Sequence, residues 1–122
     1  MKILICEDEE ILLTALEFRM RKAGFEVVMA KDGQAALEAI QQEDIALTIT
    51  DIETPKLTAI ELIEKMNEDD ELKTPVIVIS DMSYEDEIKE ALKLGAKDFV
   101  IKPFKPAELV LRTRCVLEGL TK

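Results

Sequence analysis

Asp51 closes the run Leu47-Thr-Ile-Thr-Asp-Ile-Glu-Thr-Pro55, in which apolar and β-branched residues lead into a single carboxylate. β-branched residues favour a strand, and a carboxylate at the C-terminal end of a strand lies at the edge where open α/β sheets hold their ligands. Two other stretches end alike. Lys2-Ile-Leu-Ile-Cys6 runs into Glu7, Asp8, Glu9 and Glu10, and Pro75-Val-Ile-Val-Ile79 runs into Ser80 and Asp81. If these runs are parallel neighbours, Glu7, Asp8 and Asp51 gather at one edge. Clustered carboxylates repel, so one is protonated or a cation is present. Mg2+ suits such a place, since it accepts one or two carboxylates, a carbonyl and waters. Asp51 is also a candidate nucleophile, because a carboxylate can take a phosphoryl group as an acyl phosphate. That chemistry needs a metal and cationic help for the phosphoryl oxygens. Lys102, with its backbone restrained by Pro103, is the candidate for that help, and Ser80 can hydrogen-bond a phosphoryl oxygen. Each has a plainer reading: Glu9 and Glu10 as the acidic first turn of a helix, Lys102 as a surface lysine, Ser80 as a cap. Their joint occurrence at the ends of four apolar runs favours the chemical one.

The elements that must position these residues follow from periodicity. The first strand covers about Lys2 to Cys6. A helix is predicted from about Glu9 to Lys22, with Leu12, Leu13, Leu16 and Met20 near the 3.6 period, and Gly24 stops it. Phe25 to Met29 reads as the second strand, Asp32-Gly33 as a turn and cap, and Ala36, Leu37 and Ile40 as the stripe of a second helix. The third strand is Ile45 to Thr50. The third helix runs from Leu57 to about Asn67, buried through Ile60, Ile63 and Met66. Glu68 to Lys73 reads as a solvated loop. The fourth strand is Pro75 to Ile79. Ser83 is expected to cap a fourth helix through Leu94, with Glu85 and Asp86 in its first turn. Asp98 to Ile101 is the fifth strand, and Pro106 opens a fifth helix ending near Glu118. Strands alternating with helices predict an α/β fold, a parallel sheet covered on both faces. Periodicity does not set the strand order.

The 122 residues suit one domain, 1–122. There is no histidine, which excludes Ser-His-Asp chemistry and His-ligated zinc. The net charge of −10 argues against direct nucleic-acid contact by this domain, because phosphate binding needs a basic surface. Apolar runs fall far short of a membrane span, and no signal-peptide pattern opens the chain. Two isolated cysteines, Cys6 and Cys115, read as buried reduced thiols of a cytoplasmic protein rather than a disulfide framework.

Four segments together resemble the receiver domain of bacterial two-component response regulators: Ile3-Leu-Ile-Cys-Glu-Asp-Glu-Glu10, Asp51-Ile-Glu-Thr-Pro55, Val76-Ile-Val-Ile-Ser80 and Gly95-Ala-Lys-Asp-Phe-Val-Ile-Lys-Pro-Phe104. The resemblance spans essentially the whole chain. It implies a five-stranded parallel sheet in the order 2-1-3-4-5 flanked by five helices. It also implies that Asp51 is the phosphoacceptor, supplied by a sensor histidine kinase. Asp8 is then a direct Mg2+ ligand, Glu7 its acidic partner, and the carbonyl of Glu53 a further ligand. Ser80 is the switch hydroxyl, Phe99 the aromatic that turns with it, and Lys102 the phosphate-sensing lysine, with a cis bond to Pro103.

Some positions depart from the family pattern. Thr54 stands where methionine is common, Thr58-Ala59 where Asp-Gly is common, and Glu7 where aspartate is commoner. Asp81 follows the switch serine where a small residue is usual, and its charge is expected to slow phosphorylation. The segment Phe104 to Arg114 resembles receivers that precede a winged-helix DNA-binding domain; no such domain lies in these 122 residues, so the chain is read as a standalone or an excised receiver. That likeness implies a switch that repacks the face of the fourth helix, fifth strand and fifth helix. It further implies a homodimer there with Lys89 paired to Glu108 and Asp98 to Arg112. Glu108 and Arg112 also share a helical face and can pair within one chain. Two rival functions are an aspartyl-phosphate phosphatase, for which Glu53 would be the second acid, and a phosphorylation-independent receiver-like interaction module.

Overall fold

Strands whose both faces are covered need continuous apolar runs rather than alternating ones, and the central strands have them. The computed structural model describes residues 1–120; the last two residues of the expected domain, 121 and 122, lie outside the described residues. Five strands, β1 (Lys2–Cys6), β2 (Glu26–Ala30), β3 (Ile45–Asp51), β4 (Val76–Ser80) and β5 (Asp98–Ile101), pair in parallel in the order β2-β1-β3-β4-β5. Helices α1 (Glu10–Lys22), α2 (Gly33–Gln42), α3 (Ala59–Asn67), α4 (Glu85–Lys93) and α5 (Pro106–Leu117) connect and cover them. Alternate strand residues divide between two cores. Ile3, Ile5, Leu47, Ile49, Ile77 and Ile79 pack with Leu13, Leu16 and Met20 of α1 and Leu109 and Val116 of α5. Leu4, Cys6, Val76 and Val78 pack with Ala36, Leu37 and Ile40 of α2, Leu62, Ile63 and Met66 of α3 and Ala91 of α4. The fold class and strand order are as expected.

Element ends differ where a cap claims a residue. β2 begins at Glu26, because the Phe25 amide donates to the Met20 carbonyl at 3.1 Å and closes α1 behind Gly24, whose φ is +98°. α3 starts two residues late: Thr58 is its N-cap, in a reciprocal capping box with Glu61. Its inner stripe takes Leu62, while Ile60 is only half-buried. The loop after α3 holds a short 3-10 turn at Asp70–Leu72. Ser83 does not cap α4. Asp81 caps a 3-10 turn at Met82–Tyr84 that leads into the helix. Cys115 is half-buried rather than buried, whereas Cys6 is fully enclosed.

Candidate functional site

Strand register assembles the site. Cys6 pairs with Thr50, Asp51 with Ile79, and Ser80 with Ile101, so Glu7, Asp51, Ser80 and Lys102 come out side by side at the C-terminal edge. Backbone hydrogen bonds extend the ladder past the strand ends, from Glu7 N to Ala30 O at 3.0 Å, Ile52 N to Ile79 O at 2.8 Å and Lys102 N to Ser80 O at 2.8 Å. Each side chain therefore leaves from backbone still tied to a neighbouring strand. The Lys102–Pro103 peptide is cis, as the resemblance implied.

The Lys102 ammonium donates to Glu7 Oε1 at 3.0 Å and to Asp51 Oδ2 at 3.3 Å. Glu7 is completely buried, Asp51 half-buried and Asp8 exposed, and ligand oxygens from all three lie within 4.8 Å of one another. Burial, with the neighbouring Asp51 charge and against the Lys102 hydrogen bond, pushes the Glu7 carboxyl up to about 7. Burial works against the Lys102 ammonium, but its hydrogen bond to Glu7 and the Asp51 charge outweigh that and raise its pKa. Glu7 Oε2 is buried with no partner. An orphaned oxygen among three carboxylates and one ammonium is a donor set that fits a hard divalent cation.

Ser80 lies in the same edge, buried, with its hydroxyl donating to the Asp81 carbonyl at 2.9 Å. Phe99 faces outward, 37% exposed, and lines an apolar groove with Met82, Ile88, Leu92 and Ile101 beside the exposed Lys89. Asp98 and Glu108 of the expected interface both meet Arg112. Arg112 donates to Asp98 at 3.0 Å and to Glu108 at 3.2 Å within one molecule. Glu53, the second acid of the phosphatase reading, is exposed, and its carboxylate is not among the three that converge. Burial pushes the Cys6 thiol up to about 12, which suits a structural thiol and not a nucleophile.

Three residues take parts that the sequence reading does not give them. Asp32-Gly33 reads from the sequence as a turn and cap, and Asp32 does cap α2. A Cβ on Gly33 would meet the Leu57 carbonyl oxygen at 2.0 Å, and its amide donates to the Pro55 carbonyl at 2.9 Å, so it seats the β3–α3 loop against α2. Thr54 is buried and donates to the Leu57 carbonyl, bracing that loop from within. Tyr84, half-buried, sits close enough to Glu53, Asp81 and Asp51 that burial and their charges raise its pKa. Its only sequence signal is an aromatic residue between Ser80 and a helix.

A family model described as the response regulator receiver domain matches residues 3–114. Among curated proteins, the alkaline phosphatase synthesis transcriptional regulatory protein PhoP of Bacillus subtilis is 33% identical over 95% of this chain and 48% of its own length. A probable transcriptional regulator, ycf27, of Guillardia theta is 36% identical over 99% of this chain and 47% of its own. The chain thus spans about half the length of these relatives. Among solved structures, a Francisella response regulator receiver domain superposes with a TM-score of 0.88 at 26% identity, covering 98% of both chains.

Proposed function

The chain belongs to the response regulator receiver domain family, a phosphoacceptor signalling switch, and we propose that Asp51 is the residue on which it takes phosphate. The observation that supports this is the hydrogen bond of Lys102 to an aspartate that shares its pocket with two more carboxylates. In the transfer from a phosphohistidine of a sensor kinase, an Asp51 carboxylate oxygen forms the new P–O bond as the P–N bond breaks. Lys102, which already donates to Asp51, would neutralise a phosphoryl oxygen, and Ser80 would donate to another. Glu7, Asp8, Asp51 and the Glu53 carbonyl would hold Mg2+, which supplies charge neutralisation for the phosphoryl group.

The finer assignments are ours too. The partner is a cognate histidine kinase, in the cytoplasm. The relatives' names, transcriptional regulators both, support control of transcription as the output. The chain acts by being phosphorylated and not by turning over a separate substrate. No described helix is long and apolar enough to cross a membrane. Acetyl phosphate with Mg2+ should add one phosphoryl group to the wild type, read by intact mass. Asp51→Asn should take none, and Asp8→Asn should lose about tenfold or more in Mg2+ affinity. Equal labelling of Asp51→Asn would move the acceptor elsewhere, and undiminished Mg2+ binding by Asp8→Asn would remove the metal site.

A further inference from the structure

Residues 81–84, between β4 and α4, are organised by Asp81. Its carbonyl accepts the Ser80 hydroxyl at 2.9 Å. Its carboxylate accepts the Ser83 amide at 2.8 Å and, in a very short contact, the Ser83 hydroxyl. A serine hydroxyl has one proton. Ser80 can give it to the Asp81 carbonyl or to a phosphoryl oxygen on Asp51, but not to both.

We infer that the Asp81–Ser83 cap is a latch: by fixing the Asp81 backbone it holds the acceptor that competes with the phosphoryl group for the Ser80 proton. The two residues are positioning residues that act through Ser80. The inference rests on Asp51 being the phosphoacceptor and goes beyond it. A phosphoryl group must draw Ser80 off its resting acceptor, so part of its binding free energy is spent on that exchange. Loosening the acceptor lowers that cost and favours the phosphoryl-bound arrangement.

A different account is simple repulsion. The Asp81 carboxylate is exposed, near enough to Lys102 to feel its charge, and of the same sign as an incoming phosphodonor. Two substitutions separate the accounts. Asp81→Asn removes the charge but keeps an oxygen able to cap. Ser83→Ala keeps the charge and removes the hydroxyl donor, leaving the amide.

Beryllofluoride, a phosphoryl mimic, is titrated with Mg2+ and followed by the fluorescence of Tyr84, the single tyrosine in a chain without tryptophan. Asp81→Ala should bind it about tenfold more tightly than the wild type and Ser83→Ala about three- to fivefold, the scale of one cap. Asp81→Asn should stay within about twofold of the wild type, a rescue by a neutral cap that repulsion does not predict. Unchanged or weaker binding by Ser83→Ala would end the proposal. So would an Asp81→Asn that tightens as far as Asp81→Ala, which would assign the effect to charge. A wild type that binds no beryllofluoride would instead refute the reading of Asp51 itself. Ser83 is exposed, so its variant tests the latch without disturbing a core.

Discussion

Glu7 is the residue at which the site's charges are least balanced. One oxygen of a wholly buried carboxyl rests on Lys102, and the other has no partner. Burial raises its pKa from the ordinary 4.5 to about 7, so the folded protein favours the neutral acid. The neutral acid's contribution to stability is complete below about pH 4.5 and is lost as pH rises through about 7. In metal-free buffer the wild type should therefore lose roughly 10 °C of Tm between about pH 5 and about pH 8 relative to Glu7→Gln, an effect of roughly 2–3 kcal/mol in a domain of this size. The glutamine variant keeps the shape and never ionises. Parallel Tm curves for the two proteins would show that the carboxyl is not so shifted. Glu7 was legible as an acid at a strand end, but its lone oxygen was not, because that depends on which partners the register brings.

Among the elements, the β3–α3 connection depends most on close contact. It carries Glu53, the proposed carbonyl ligand, and Lys56 at a φ of +69°. It rests on the start of α2, where Gly33 leaves no room for a side chain and Asp32 Oδ2 lies 3.7 Å from Lys56 Nζ. Replacing Gly33 with alanine would drive a methyl into the Leu57 backbone carbonyl, which is no flexible side-chain end and must shift with its loop. A loss of about 1–3 kcal/mol is expected, seen as a lower urea midpoint at unchanged m-value. An unshifted midpoint would mean that the loop yields freely. Thr58-Ala59, which departs from the family's Asp-Gly, has its own physical account here: the threonine completes a capping box that starts α3. Caps of this kind were hard to read, since Ser83 looked like the cap and Asp81 has that role one turn earlier.

On the whole molecule α4 and β5 form an apolar groove at Phe99, with Glu85 and Lys89 on its lining, and α5 reaches β5 through the Arg112–Asp98 ion pair. In the monomer Arg112 is already engaged by Asp98 and Glu108, which raises its pKa. A two-fold dimer pairing Asp98 with Arg112 and Lys89 with Glu108 would have to exchange these contacts, each twice over. Exposed pairs are individually weak, so they would set the register of the dimer more than its affinity. Sedimentation should show the wild type shifting from monomer to dimer on adding beryllofluoride and Mg2+, and Arg112→Glu remaining monomeric. A monomer in both states, or a dimer indifferent to that charge reversal, would leave the surface to some other partner.

The sequence by itself determined the alternation of strands and helices, the two-sided core and the residues at the strand ends. Those are local properties: β-branched runs, the 3.6 period and the placing of Glu7, Asp51, Ser80 and Lys102 directly after strand-forming stretches. The order of strands came from the family resemblance, since periodicity carries no information about neighbours. Only the tertiary structure decided who touches whom. Lys102 is shared between Glu7, 95 residues away, and Asp51, 51 residues away. Asp81 turns to Ser83 and not freely toward the pocket, Arg112 closes on its own chain, and Gly33 is required by a loop that follows it by more than twenty residues. Such contacts are settled by strand register and by the side-chain rotamers that packing allows, and neither is written in any one stretch of the chain.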